Sequence, residues 1–260
     1  DIATTFCDQC PFISPNEVVC FLEKAQAAGL FENPKAYEYK PGILNSIYLN
    51  MTKLCNFSCS YCYASSRVES SEKMLSQSKY FSIIDELSKL KNNIVVNFTG
   101  GEPLLSSFTI PTARYCKSKG LTTYLLSNGS LINEKNIDEI VSVFDHIKIS
   151  MDGSTRKLFG KYRGEKNYDR VVNAIELLIS KNADVMISMV ITKENYQDVS
   201  NMVDKWGGRV TFMPLFPMGS ALENEENNAL SGVEYYDVLN HDARIEPFSG
   251  IINYLKSNHN

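Results

Sequence analysis

From Ile43 onward the chain alternates short β-rich runs with longer amphipathic stretches, and this alternation limits the fold more than any other feature. The β-rich runs fall near Ile43–Leu49, Ile94–Phe98, Leu121–Leu126, His146–Ser150, Val185–Ile191 and Arg209–Met213. Between them, apolar residues recur at helical spacing near Lys73–Leu90, Ser107–Ser118, Asn133–Val143, Tyr168–Ser180 and Tyr196–Lys205, several opened by a Ser, Asn or Asp able to cap a helix. Six strands separated by helices are βα units, the pattern of a parallel α/β sheet. Such a sheet either closes partly into a barrel or stays open and doubly wound. Periodicity does not choose between the two, but in both the functional face lies at the C-terminal ends of the strands.

The flanks differ from this core. Residues 1–40 read as a separate N-terminal element: Ser14-Pro15-Asn16-Glu17 starts a helix, which runs amphipathically to about Ala28 and stops at Gly29. Residues 41–220 hold the βα units, and 221–260 form a C-terminal cap. With 260 residues and 43% hydrophobic content, one main domain is expected. The net charge of -4 and a pI near 5.5, with Lys and Arg scattered, give no footprint for nucleic acid. No apolar run is long enough to cross a bilayer, and Asp1 to Phe6 lacks the pattern of a signal peptide, so no membrane partner and a cytoplasmic location are expected. The chain starts without Met, which leaves open that it is a piece of a longer protein.

The seven cysteines are too few and too uneven for a disulfide scaffold, and clustered thiols point to metal or catalysis. Directly after the first strand comes Cys55-Asn56-Phe57-Ser58-Cys59-Ser60-Tyr61-Cys62. A tight loop with this spacing brings three thiolates to one face. Three irons of a 4Fe–4S cube can each take one, and the fourth iron stays open for chemistry. A structural zinc site would want a fourth ligand nearby.

This triplet, with an aromatic residue before its last Cys, resembles the signature of the radical S-adenosylmethionine (SAM) superfamily. The resemblance spans roughly Ile43 to Met218 and implies a partial (β/α)6 barrel with a 4Fe–4S cluster and SAM as cofactors. In that family the open iron chelates the amino and carboxylate groups of SAM, and reduction releases a 5′-deoxyadenosyl radical. Carried onto this chain, Cys55, Cys59 and Cys62 are the implied cluster ligands, and Tyr61 lies near the adenine. Thr99-Gly100-Gly101-Glu102-Pro103, at the end of the second strand, resembles the family's Gly-Gly-Glu motif: Gly100 and Gly101 allow close approach, and Glu102 meets the SAM ammonium. Ser127-Asn128-Gly129 and Ser150-Met151-Asp152-Gly153 place polar groups at the next two strand ends, suited to ribose hydroxyls and the SAM carboxylate. Arg163, a bidentate carboxylate partner by its chemistry, joins Ser150 in that second task. Ser188 and Pro214-Leu215-Phe216-Pro217 complete the pocket.

The wording Gly-Gly-Glu-Pro-Leu and Ile-Ser-Met-Asp-Gly is similar to enzymes that modify ribosomally made peptides or mature sulfatases. Many of these carry a cysteine-rich C-terminal extension, whereas this chain has no cysteine after Cys116, itself expected in the core. The N-terminal helix is similar to the last helix of a leader-peptide recognition domain and equally to a plain packing helix. Cys7 and Cys10 are candidates for a metal or redox pair, and Cys20 for a buried thiol. The implied partners are a leader-bearing peptide and an electron donor such as flavodoxin or ferredoxin. A small-molecule substrate, or a non-catalytic iron–sulfur or zinc protein, are the alternatives.

Overall fold

The computed structural model describes residues 19, 44–65, 74–90, 93–215, 219–223, 229 and 238. Val19 apart, these belong to the second of the two units into which the chain divides, Leu44–Asn260. The expected N-terminal helix, Cys7, Cys10, Cys20, Phe216, Pro217 and most of the C-terminal cap lie outside the described residues.

Six strands form one sheet: β1 (Ser46–Thr52), β2 (Val95–Gly100), β3 (Thr122–Ser127), β4 (His146–Ser150), β5 (Val185–Ile191) and β6 (Val210–Pro214). Every neighbouring pair is parallel, and the spatial order is the sequence order. That order decides between the two folds the periodicity left open. A doubly wound sheet reverses its order at a switch point and carries helices on both faces. Here the order never reverses, so right-handed crossovers set each helix on the same side and the sheet curls about the other. Among the described residues β1 and β6 are not paired with each other, which makes the barrel partial.

The helices are α1 (Gln77–Ser88), α2 (Thr109–Ser118), α3 (Ile137–Val143), α4 (Arg156–Arg163), α5 (Tyr168–Ser180), α6 (Val199–Trp206) and the short α7 (Ser220–Glu223). α5 buries Val171, Ala174, Ile175 and Leu178, and α6 buries Val199, Met202, Val203 and Trp206, each a stripe spaced to face the sheet. Their partners are alternate strand residues such as Leu125, Ile147, Ile149 and Ile187, all buried in one core. Each fully buried Leu or Ile contributes about 1.5–3 kcal/mol, and the alternation turns the intervening residues to the concave side. No helix among the described residues is long and apolar enough to cross a membrane.

Two departures from the expected elements have local causes. α3 begins at Ile137 rather than Asn133 because Asn136 closes a turn first: its Oδ1 accepts from Asn133 N at 2.9 Å and its Nδ2 donates to Leu131 O at 2.8 Å. α4 was not expected at all. It spans 8 residues and buries two of them, Phe159 and Tyr162, so its apolar pattern is short. Thr155 caps it by accepting from Leu158 N at 3.3 Å, and Gly164, at φ 81°, ends it.

Candidate active site

The cysteine loop leaves the C-terminal end of β1 just past a register irregularity between Asn50 and Thr52. Its main chain is fastened at several points. Gly101 N donates to Thr52 O at 2.7 Å, Glu102 N to Leu54 O at 2.8 Å, Ser60 N to Tyr162 O at 3.3 Å, and Ser220 N to Cys62 O at 2.9 Å. The paired glycines have a local reason in this arrangement. A Cβ on Gly101 would stand 2.0 Å from Leu54 O, and one on Gly100, whose φ is +133°, would stand 2.3 Å from Thr52 O. Gly100 and Gly101 thus let the end of β2 lie directly against the root of the cysteine loop.

The three thiols sit at the rim, each partly exposed. Cys55 Sγ accepts from Phe57 N at 3.4 Å and lies 3.9 Å from Asn128 Nδ2, and Cys59 Sγ lies 3.7 Å from Arg163 Nη1. Burial pushes the Cys55 thiol up, and pushes Cys59 up to about 11 against the pull of Arg163; Cys55 also feels Cys62, and Cys59 feels both Cys55 and Cys62. Among the described residues no three His, Cys, Asp or Glu side chains converge on a single ion. Three partly exposed thiols on one loop, with Cys62 acting on Cys55 and both acting on Cys59, are a donor set that fits a 4Fe–4S cube, which takes one thiolate per iron. The burial cost of ionising Cys55 and Cys59 is one that metal binding offsets, with protons released.

Glu102 is fully buried. Its Oε1 accepts from Leu104 N at 3.1 Å and Ser127 Oγ at 2.9 Å, and its Oε2 accepts from Asn128 N at 2.8 Å. Burial pushes its carboxyl up to about 7 against these three donors. No ion pair to Glu102 occurs among the described residues. Ser127 and Asn128 therefore hold Glu102, and the Asn128 side chain also donates to Asn56 Oδ1 at 2.9 Å, whose Nδ2 in turn reaches Ser130 Oγ at 2.8 Å. This chain of bonds ties the β3 end to the cysteine loop.

Tyr61, Asp152 and Arg163 meet in one buried group. Arg163 Nε pairs with Asp152, its Nη2 donates to Tyr61 Oη at 2.8 Å, and Tyr61 Oη also donates to Asp152. The second oxygen of Asp152 accepts from Val190 N at 2.9 Å. Burial works against the Arg163 charge, but Asp152, Tyr61 and Cys59 together offset it and hold the guanidinium well above its usual value. Arg163 reaches Asp152, Tyr61 and Cys59, while Ser150 lies with Ser188 as a paired position on β4 and β5. Four residues that the sequence reading did not single out complete the surroundings: Asn56, Tyr162, Thr192 and Asn195. Tyr162 Oη is 2.6 Å from Thr192 Oγ1, and Asn195 Nδ2 donates to Val190 O at 2.8 Å and Asp152 O at 3.2 Å. Asn56 stood inside the cysteine triplet and was legible there; Tyr162 was hidden with α4.

Residues 49–205 match the Radical SAM superfamily. Similar sequences include the AdoMet-dependent heme synthase of Oleidesulfovibrio alaskensis, 26% identical over 82% of this chain and 56% of that protein. Mycofactocin maturase MftC of Mycobacterium ulcerans is 28% identical over 73% of this chain and 53% of its own length. The chain spans about half the length of the curated relatives it matches. The fold is shared with anSMEcpe holding AdoMet and the Cp18Cys peptide, at TM-score 0.62 and 20% identity over 75% of this chain and 58% of that one. It is shared too with Streptococcus suis SuiB bound to S-adenosylmethionine, at TM-score 0.64 and 13% identity over 99% of this chain and 58% of that one. The matched span runs from Leu49 in β1 to Lys205 in α6, and the chain belongs to the radical SAM superfamily, whose cofactors are a 4Fe–4S cluster and SAM.

Proposed function

We propose that this chain holds a 4Fe–4S cluster through Cys55, Cys59 and Cys62, cleaves SAM reductively, and modifies a peptide. The observation that carries the reading is the meeting, at one strand-end rim, of the three thiols with Glu102, a buried carboxylate that has donors and, among the described residues, no cation. A buried carboxylate of that kind is costly alone and gains from a bound ammonium. In this reading Glu102 accepts the SAM ammonium, oriented by Ser127 and Asn128. Ser150 and Ser188 offer hydroxyls from adjacent strands, and Gly100 and Gly101 seat the loop. Asp152 fixes Arg163 and Tyr61 beside Cys59. When bound, the reduced cluster and SAM supply a carbon-centred radical able to take hydrogen from an unactivated carbon; the chain supplies orientation and keeps water away.

The peptide half rests on MftC, a maturase by name, and on the shared fold of proteins solved with peptides, anSMEcpe with Cp18Cys and SuiB with its precursor peptide SuiA at TM-score 0.56. Residues 1–40 would help hold a leader, and a flavodoxin or ferredoxin would supply electrons. A second reading, a tetrapyrrole substrate, is favoured by the heme synthase relative, which aligns over 82% of the chain. Anaerobic reconstitution with iron and sulfide, followed by mass spectrometry of SAM products and peptides, tests both. Absence of 5′-deoxyadenosine under reduction sinks the radical reading. Its stimulation by Fe-coproporphyrin III alone, the compound named in the Fe-coproporphyrin III synthase of Methanosarcina barkeri that is 28% identical over 60% of this chain, favours the second substrate.

A further inference from the structure

The concave face of the sheet carries a cation that none of these roles uses. Lys148 lies on β4 between Ile147 and Ile149, both buried in the helix-side core, so it points the other way. Strand pairing puts Asn97, Tyr124 and His146 on the rung below it and Ser150, Ser188 and Thr211 on the rung above. The Lys148 ammonium stands 5.8 Å from the centroid of the Tyr124 ring. Lys148 is the one Lys or Arg in the six described strands, and those strands contain no Asp or Glu at all. Asp184, just before β5, is taken by His146 Nδ1 at 2.6 Å. Among the described residues Lys148 has no carboxylate partner. Among the described residues Lys148 is thus a half-buried positive charge among hydrogen-bonding groups, about 7 Å, two residues of strand, below Ser150, with the neighbouring acid Asp184 already bonded to His146.

We propose that Lys148 anchors a carboxylate of the substrate, and that the substrate segment entering the concave face is an acidic peptide presenting an Asp or Glu side chain there. The inference rests on the peptide reading above and adds its chemical class. The charge pattern favours an acid: a cation with no carboxylate partner among the described residues gains most from a ligand anion, and the ring of Tyr124 already shields one side of it from water. Burial lowers the Lys148 pKa, and a bound carboxylate would offset that cost.

The test uses the full chain, reconstituted and loaded with SAM, and two pools of random decapeptides that differ in a fixed central Glu or Gln. Equilibrium binding of the Glu pool is expected to be about tenfold tighter, the scale of one hydrogen bond to a charged group. Lys148→Met and the polar Lys148→Gln should both erase that difference, and Lys148→Arg should keep most of it, with melting curves confirming that each variant is folded. Equal binding of both pools by the wild type, or a Glu preference that survives in both neutral variants, overturns the role of Lys148 and leaves the peptide reading standing. Binding of Fe-coproporphyrin III with neither pool bound overturns the acidic peptide and the peptide reading together.

Discussion

Arg163 Nη1 lies 3.7 Å from the sulfur of Cys59 while its Nε is paired with Asp152, whose side chain is fully buried. One guanidinium thus serves a thiol and a buried acid at once. Arg163→Met strands the Asp152 charge and is expected to cost about 3–5 kcal/mol, visible as a lowered melting midpoint. Arg163→Lys keeps the charge and most of the stability but loses the donor to sulfur. It should shift the cluster's reduction potential to more negative values in an EPR-monitored titration. A potential equal to wild type would show that the guanidinium does not act on the cluster.

Replacing Cys55, Cys59 or Cys62 by Ala is expected to abolish 5′-deoxyadenosine formation and the cluster absorbance while leaving the far-ultraviolet circular dichroism close to wild type, since the loop stands outside the sheet. Turnover at the wild-type rate by any one of the three excludes it as a ligand.

Glu102 sets a pH dependence in the cofactor-free chain. Its folded pKa of about 7 is above the ordinary 4.5, so the folded state holds its proton more tightly. The associated stability is fully present below pH 4.5 and is lost as pH rises through about 7. Between those limits the stability difference between wild type and Glu102→Gln should move by about 3 kcal/mol in favour of Gln. Urea unfolding at a series of pH values measures it. A flat difference would mean that the carboxyl ionises normally.

Gly101→Ala places a methyl 2.0 Å from Leu54 O, so the cysteine loop must shift. Iron bound after reconstitution is expected to fall several-fold. Gly208→Ala, where a Cβ meets nothing within 4 Å, is the control and should load like wild type. Equal loading of the two variants would show that the close approach is dispensable.

Deleting residues 1–40 is expected to raise the KM for a leader-bearing peptide, or abolish its modification, and to spare the slow substrate-free cleavage of SAM, which needs only the barrel. Peptide modification at full efficiency by the shortened chain would mean that this segment takes no part in recognition.

Much of the fold was legible because its signals are local. β4, β5 and α5 lie where the sequence placed them, since His-Ile-Lys-Ile-Ser alternates cleanly and the α5 stripe repeats over three turns. Strand order is a long-range property, so the choice of barrel over open sheet waited for the pairing itself. α4 escaped because two buried residues make no periodicity, and Arg163 was therefore chosen for its chemistry without an element to carry it. In the sequence, Gly100 and Gly101 suggested close approach to a ligand; the structure adds a second reason for them, since a Cβ at either would meet Thr52 or Leu54 of the same chain. Lys148 was visible as a charge between two isoleucines, yet that no described strand offers it an Asp or Glu depends on six strands together.

The bonds that hold the cysteine loop come from partners far apart along the chain: Gly101 and Glu102 after β2, Tyr162 in α4, and Ser220 beyond β6. A ribosome makes the thiols early and the last of these fasteners late. During that interval the growing polypeptide presents three reactive sulfurs with no settled shape, open to oxidation and to adventitious soft metals. If these thiols hold the cluster, the loop geometry is complete only after the sixth strand and Ser220 have been made, so the expectation is a cluster inserted late instead of one that nucleates the first strand.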